Sequence, residues 1–172
     1  GVEADAGEKQ VAFGKCAGTC DKAKSKYKYS GNEDCVSAMS VPGGGPKACS
    51  FGCTGFGSCV KVCDFDAIHV INGVAVVDKE KCVACGKCVA TCPKSLIELV
   101  PYAAPHKVQC SSKEFGKAVK EVCSAGCIGC KMCEKACKFE AVTVENNIAH
   151  IDYEKCKDCG ACAVKCPKKV IL

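Results

Sequence analysis

Cys82-Val83-Ala84-Cys85-Gly86-Lys87-Cys88-Val89-Ala90-Thr91-Cys92-Pro93 reads C-x2-C-x2-C-x3-C-P, and Cys156-Lys157-Asp158-Cys159-Gly160-Ala161-Cys162-Ala163-Val164-Lys165-Cys166-Pro167 repeats it. Three thiolates two residues apart wrap one face of a cubane iron–sulfide core. The fourth, on the following helical turn, points away toward a second core. Each run therefore needs a partner, and each has one upstream: Cys53, Cys59 and Cys63 before the first, and Cys127, Cys130, Cys133 and Cys137 before the second.

The two halves are a duplication. Adding 74 to Cys49, Cys53, Cys59, Cys63, Cys82, Cys85, Cys88 and Cys92 reaches a cysteine every time. A repeated supersecondary unit is the economical explanation. The intervening sequence agrees, because Asp64-Phe65-Asp66-Ala67-Ile68-His69-Val70 parallels Lys138-Phe139-Glu140-Ala141-Val142-Thr143-Val144. Asn72-Gly73 predicts a hairpin between strands at 67–71 and 74–77, and Asn146-Asn147 predicts its counterpart between 141–145 and 148–151. Short helices are expected after each set of closely spaced ligands, with a further helix over 114–121. A final strand closes each half, at 96–100 and 169–172. The expected fold is α+β: two tandem ferredoxin-like 2[4Fe-4S] modules behind an N-terminal cysteine-bearing segment. The predicted boundaries are a segment at 1–48, which ends in the Gly/Pro-rich turn Pro42-Gly43-Gly44-Gly45-Pro46, a first module at 49–100, a linker at 101–122 and a second module at 123–172.

Composition narrows the function. Trp is absent and aromatic residues make up only 6% of the 172, so a large conventional core is not expected. Ligands must be gathered and deprotonated before they bind, so cluster binding becomes folding free energy. A secreted disulfide scaffold would also use many of the 21 cysteines, but it does not require paired x2, x2, x3 spacing. There is no signal peptide and no apolar run long enough to span a bilayer, and a chain beginning at Gly1 rather than Met reads as a fragment. The formal charge of +5 was counted with neutral thiols. Four clusters at about −2 each would bring it to roughly −3. All 24 cations are Lys, so no Arg fork is present for phosphate or base recognition, and no nucleic-acid partner is expected. The lysines of Asp21-Lys22-Ala23-Lys24-Ser25-Lys26-Tyr27-Lys28 form a solvated face that could steer an acidic partner. The Gly43 to Gly45 turn matches neither phosphate-binding loop pattern, so no flavin or nucleotide is expected.

Because the last cysteine of each run ligates the other run's cluster, three sites follow from spacing. These are Cys63 with Cys82, Cys85 and Cys88; Cys166 with Cys127, Cys130 and Cys133; and Cys137 with Cys156, Cys159 and Cys162. The fourth is irregular, because Phe56 stands where a ligand should fall and Cys53, Cys59 and Cys92 supply only three thiolates. Cys49 is the nearest candidate for the fourth, with a three-iron cluster as the competing outcome. Zinc also takes four thiolates, though usually from two separated pairs. Cys16, Cys20, Cys35, Cys110 and Cys123 remain and are enough for a fifth cluster, with buried free thiols as the other reading. Asp64 and Lys138 replace the proline that usually follows the last cysteine of a run, which alters the surroundings of the adjacent sulfur. His69, His106 and His150 have no ligand-like spacing. No catalytic triad, paired catalytic carboxylates or H-E-x-x-H motif is present, so no catalytic residue is expected.

Three stretches are more distinctive than the repeated runs: Lys15-Cys16-Ala17-Gly18-Thr19-Cys20, residues 43–63 from Gly43-Gly44-Gly45-Pro46 through Cys49, Cys53 and Cys59 to Cys63, and Cys123-Ser124-Ala125-Gly126-Cys127-Ile128-Gly129-Cys130. Together they resemble the B subunit of the Rnf complex, the ion-translocating ferredoxin:NAD+ oxidoreductase. The resemblance covers nearly the whole chain. It implies an electron-transfer subunit that accepts low-potential electrons from soluble ferredoxin and passes them to other Rnf membrane subunits within a hetero-oligomeric complex. It also implies a place at the cytoplasmic face of the cell membrane, with an N-terminal helix anchor and a further cluster domain preceding this sequence. The alternative is an iron–sulfur subunit of a hydrogenase, formate dehydrogenase or 2-oxoacid oxidoreductase, or a free polyferredoxin. A zinc-bound interaction module is the reading from a different class.

Overall fold

A computed structural model describes residues 7–172 of the chain. The architecture is α+β, with short helices set among three two-stranded antiparallel sheets. Strands β1 (Gln10–Gly14) and β4 (Ile97–Pro101) form one sheet, β2 (Ile68–Ile71) and β3 (Val74–Val77) the second, and β5 (Val142–Glu145) and β6 (Ile148–Ile151) the third. The helices are α1 (Cys35–Met39), α2 (Ser58–Lys61), α3 (Lys87–Thr91), α4 (Gly116–Val122), α5 (Met132–Ala136) and α6 (Ala161–Lys165).

Both hairpins form where the turn residues direct them. Asn72 and Gly73 adopt φ values of 48° and 76°, and Asn146 and Asn147 adopt 49° and 63°. Two successive left-handed residues are what a tight hairpin turn needs to match the strand twist. Register follows, with Ile71 opposite Val74 in the first hairpin and Glu145 opposite Ile148 in the second.

Strand β1 carries no turn signal in the sequence and was not expected. It runs antiparallel to β4, with Ala12 opposite Leu99 and Gly14 opposite Ile97. Gly14 is required there because β1 lies close over β3: a Cβ on Gly14 would come within 2.7 Å of the Ala75 carbonyl oxygen. In the second half, the bridge between Val108 and Ile171 takes the corresponding place, flanked by hydrogen bonds from Gln109 N–H to Val170 O and from Leu172 N–H to Lys107 O.

Burial is divided between two small cores. One contains Ala12, Cys59, Ile68, Cys88 and Ile97. The other includes Val108, Cys133, Val142, Cys162 and Ile171. Four of the five pairs obey the sequence repeat, and cysteine sulfur is a core component in both. The stretch between β1 and α2 stitches the halves together. Ala17 N–H donates to Gln109 O, Lys24 N–H to Val122 O, and Ser111 Oγ to Lys15 O. Among the described residues, no helix is long and apolar enough to cross a membrane.

Candidate cluster sites

The cysteine loops share one local conformation, and the sequence explains it. In Cys82-Val83-Ala84-Cys85-Gly86-Lys87-Cys88, Ala84 and Gly86 have φ of 55° and 77°; in the 156–162 loop, Asp158 and Gly160 have 52° and 71°. Gly129 and Lys131 repeat this at 62° and 58°, and Gly55 and Gly57 at 82° and 70°. Alternating left-handed residues curl the backbone into a concave loop, and each loop leads into a short helix at α2, α3, α5 or α6. The irregular 53–59 loop keeps this shape although Phe56 has replaced the ligand. Its ring packs on Tyr29 with centroids 4.9 Å apart.

After the last cysteine of three of the four runs, a second left-handed residue turns a backbone N–H back onto its sulfur. Asp66, Ser95 and Lys169 have φ of 50°, 51° and 49°. The next N–H groups, of Ala67, Leu96 and Val170, donate to Cys63, Cys92 and Cys166 Sγ, each at 3.4 Å. Ala12 N–H on β1 donates to Cys82 Sγ at 3.4 Å. Such N–H···S bonds orient a thiolate and stabilise its charge. Beside Cys63, Asp64 forms an ion pair with Lys87, so the position usually held by proline carries a neutralised charge pair.

Cys63, Cys82, Cys85 and Cys88 line one cavity, and Cys127, Cys130, Cys133 and Cys166 another. Cys133 is buried, which pushes its thiol up to about 11 despite the opposing backbone N–H of Glu134. Cys137 caps the end of α5 close to Cys156 and Cys162. Burial raises both of those thiols, with a lesser contribution from the Cys137 sulfur. Cys159 lies exposed on the same loop.

The irregular site differs from the sequence expectation. Cys53, Cys59 and Cys92 line a cavity with Cys35, whereas Cys49 lines the neighbouring one. Burial pushes the Cys59 thiol up to about 12, and the sulfurs of Cys53, Cys35 and Cys92 add to the effect. Cys35 behaves oppositely: burial works to raise its thiol, but hydrogen bonds from the Ser58 and Thr54 side chains and from the Ser58 and Phe56 backbone outweigh it and lower it. Spacing does not place Cys35 in this cavity, because it begins α1, across the Gly/Pro-rich turn from the others. The usable signal was Asp34, a helix-capping residue immediately before a cysteine. Asp34 accepts from Val36 and Ser37 N–H at 3.0 and 2.9 Å and from Ser58 Oγ at 2.9 Å, while Ser58 Oγ in turn accepts from Cys35 N–H at 2.9 Å.

That clamp leads to one prediction. Asp34→Ala removes the cap at a cost of about 1 kcal/mol. Loss of the adjacent iron to a chelator should accelerate several-fold, followed as decay of visible absorbance; an unchanged rate would mean that the clamp does not hold Cys35.

Lys94 supplies positive charge between these cavities. Its Nζ donates to Gly52 O at 3.0 Å, and burial pulls its ammonium below the ordinary lysine range against the opposing pull of Cys49 and Cys53. A fixed cation favours the more negative, reduced state of an adjacent redox centre. Lys94→Gln should therefore lower the midpoint potential of one centre by about 40 mV, equivalent to about 1 kcal/mol for one electron, in a potentiometric titration.

Cys16 sits on the wall between the irregular cavity and its neighbour, where Cys49, Cys110 and Cys123 lie. Cys20 is exposed beside the β2–β3 turn, with its N–H on Asn72 O, and is among neither cavity's lining residues. His69 contacts Asp66, and His106 Nδ1 lies 2.7 Å from Leu172 O. All 21 cysteines are free thiols in the structure.

The grouped thiols, with backbone donors aimed at their sulfurs, form a donor set that suits iron–sulfide cores. Residues 126–171 match the 4Fe-4S dicluster domain family, and residues 46–103 match the LdpA Fe-S cluster-binding domain family. The chain is thus an iron–sulfur protein of the kind that binds 4Fe-4S clusters. It is 48% identical over 172 residues to the B subunit of the Na(+)-translocating ferredoxin:NAD(+) oxidoreductase complex of Acetobacterium woodii, an alignment that covers 99% of this chain and 51% of that protein. The B subunit of the ion-translocating oxidoreductase complex of Methanosarcina acetivorans is 41% identical over 172 residues, covering 99% and 65%. Its counterpart in the proton-translocating ferredoxin:NAD(+) oxidoreductase complex of Clostridium ljungdahlii is 43% identical over 167 residues, covering 95% and 58%. The chain belongs to this family of Rnf B subunits. It spans between about half and two thirds of the length of these relatives.

Proposed function

We propose that the chain is an electron relay, receiving low-potential electrons from a reduced soluble ferredoxin and delivering them to membrane subunits of an ion-translocating ferredoxin:NAD+ oxidoreductase. In this reading it works within a hetero-oligomeric complex at the cytoplasmic face of the membrane. Four ferredoxin-type [4Fe-4S] sites carry the current: Cys63 with Cys82, Cys85 and Cys88; Cys35 with Cys53, Cys59 and Cys92; Cys166 with Cys127, Cys130 and Cys133; and Cys137 with Cys156, Cys159 and Cys162. When bound, such a group supplies a one-electron couple, commonly near about −400 mV in ferredoxins.

The observation that carries this reading is the repeated loop. Left-handed residues shape it, a short helix follows it, and N–H···S bonds fix ligands from both runs. The chain's own residues hold the thiolates still, exclude water around Cys59, Cys88, Cys133 and Cys162, and set the local charge through Lys94 and the Asp64–Lys87 pair. Two tandem modules follow, the first comprising β1 together with residues 53–101 and the second residues 107–172. The stretch from 15 to 52 is then an insertion within the first module, which supplies Cys35.

The test is recovery of the full protein from membranes under anaerobic conditions, with identification of its partners and reduction by ferredoxin. Co-isolation with the membrane subunits and bleaching of visible absorbance on reduction are expected. Co-isolation with a soluble hydrogenase, formate dehydrogenase or 2-oxoacid oxidoreductase would overturn the assignment, as would a colourless zinc protein.

A further inference from the structure

We propose that Cys16, Cys49, Cys110 and Cys123 hold a fifth [4Fe-4S] cluster at the junction of the two halves, and that this site joins their relays into one. The inference rests on the relay reading above and adds a centre whose ligands no repeated run contains.

The four cysteines come from four separate segments: the strand exit after β1, the stretch following the Gly/Pro-rich turn, the connection after β4 and the C-terminal cap of α4. They line one cavity. Cys110 and Cys123 are only 8% and 7% exposed. A methyl carbon placed on Gly18 would lie 3.4 Å from Cys123 Sγ and 3.6 Å from Cys16 Sγ, so these two sulfurs flank a single point. Cys49 lines the same cavity as these two sulfurs. Cys123 is held by the antiparallel bridge to Ala23, which fastens the N-terminal segment to the second half.

Buried thiols kept only for packing would be surrounded by carbon. Here the backbone aims donors at sulfur, as it does at Cys63, Cys92 and Cys166. Cys110 Sγ accepts from Cys127 N–H at 3.3 Å and from Ser112 N–H at 3.5 Å, and Cys16 Sγ accepts from Cys53 N–H at 3.4 Å. Thiol sulfur is a weak acceptor, and such donors suit a ligated thiolate better. Lys47 places its ammonium at the cavity edge, bonded to Gly18 O at 2.7 Å and Gly73 O at 3.1 Å, where it can offset anionic sulfur.

The same two contacts give the site its role. Cys53 belongs to the irregular site of the first half and Cys127 to the nearer site of the second. Each of these ligands therefore donates its own backbone N–H directly to a sulfur of the junction set. The order along the molecule becomes the Cys63 site, the Cys35 site, the junction, the Cys127 site and the Cys137 site. Passing the current requires one electron to leave one centre as the next accepts it, with no bond made or broken and no proton required.

The test uses the 172-residue chain given by this sequence, assembled and handled anaerobically, with iron, acid-labile sulfide and native mass measured. About twenty irons and twenty sulfides per chain are expected for five four-iron centres, falling in Cys110→Ala to about nineteen irons if its centre becomes a three-iron one and to about sixteen if the centre is lost. Cys20→Ser should keep the full complement. Reductive titration should show one centre of the parent altered or missing in Cys110→Ala. The proposal is overturned if the parent stops at sixteen irons, if Cys110→Ala keeps them all, or if zinc fills the difference. A Cys110→Ala chain that does not fold leaves the decision to the parent's iron count and mass. Sixteen irons in an active relay would remove the junction site alone, whereas absence of iron and sulfide would remove the relay as well.

Discussion

Cys35→Ala is expected to convert one four-iron centre into a three-iron centre, losing about one iron per chain while the other sites stay intact. The expectation follows from the cavity that Cys35 shares with Cys53, Cys59 and Cys92, and from Phe56, which leaves the 53–59 loop one ligand short. The oxidised variant should show the paramagnetic resonance of a three-iron cluster, which the parent lacks. Cys49→Ala gives the opposing result: under the junction assignment it disturbs a different centre and leaves the Cys35 site complete. If Cys49→Ala produced the three-iron signal and Cys35→Ala did not, the ligand exchange read from the structure would be wrong.

Complete removal of iron is expected to unfold most of the chain, seen as loss of far-ultraviolet ellipticity and of any cooperative thermal transition. Isolated two-stranded sheets are marginal in water, and every sheet among the described residues has two strands. The first core has five buried residues, two of them the proposed ligands Cys59 and Cys88. Without iron, burial keeps Cys59 and Cys110 protonated at ordinary pH, because their thiols are pushed up to about 12 and about 11. Loading must therefore displace those protons, and ligation free energy becomes folding free energy. A sharp melting transition in the iron-free chain would show that apolar packing suffices.

Much of the candidate site was legible because cluster ligation imposes fixed spacing on a short, locally folded loop. The hairpins were equally legible, since Asn72-Gly73 and Asn146-Asn147 meet a backbone demand that few residues satisfy. The helix expected at 114–121 occupies Gly116–Val122. What escaped was long-range. Residues Gln10–Gly14 carry no local sign of being a strand, because their partner is Ile97–Pro101 and only tertiary pairing defines them. The place of Cys35 beside Cys53, Cys59 and Cys92 escaped for the same reason, since it depends on Asp34 and Ser58 meeting across a chain reversal. Cys49 lies near Cys53 in sequence but lines the neighbouring cavity.

The pairing of β1 with β4 also constrains how the protein is made. On a ribosome, the first strand emerges long before its partner and must wait, unpaired and with its edge exposed, until the chain has grown beyond Pro101. Closing so long a loop is slow. During that interval Cys82, whose sulfur later receives the Ala12 amide, has no covering strand. Delivery of iron and sulfide by the cell's assembly machinery is therefore best timed after β4 has been synthesised, and a translational pause placed before that point should lower the yield of mature protein more than one placed after it.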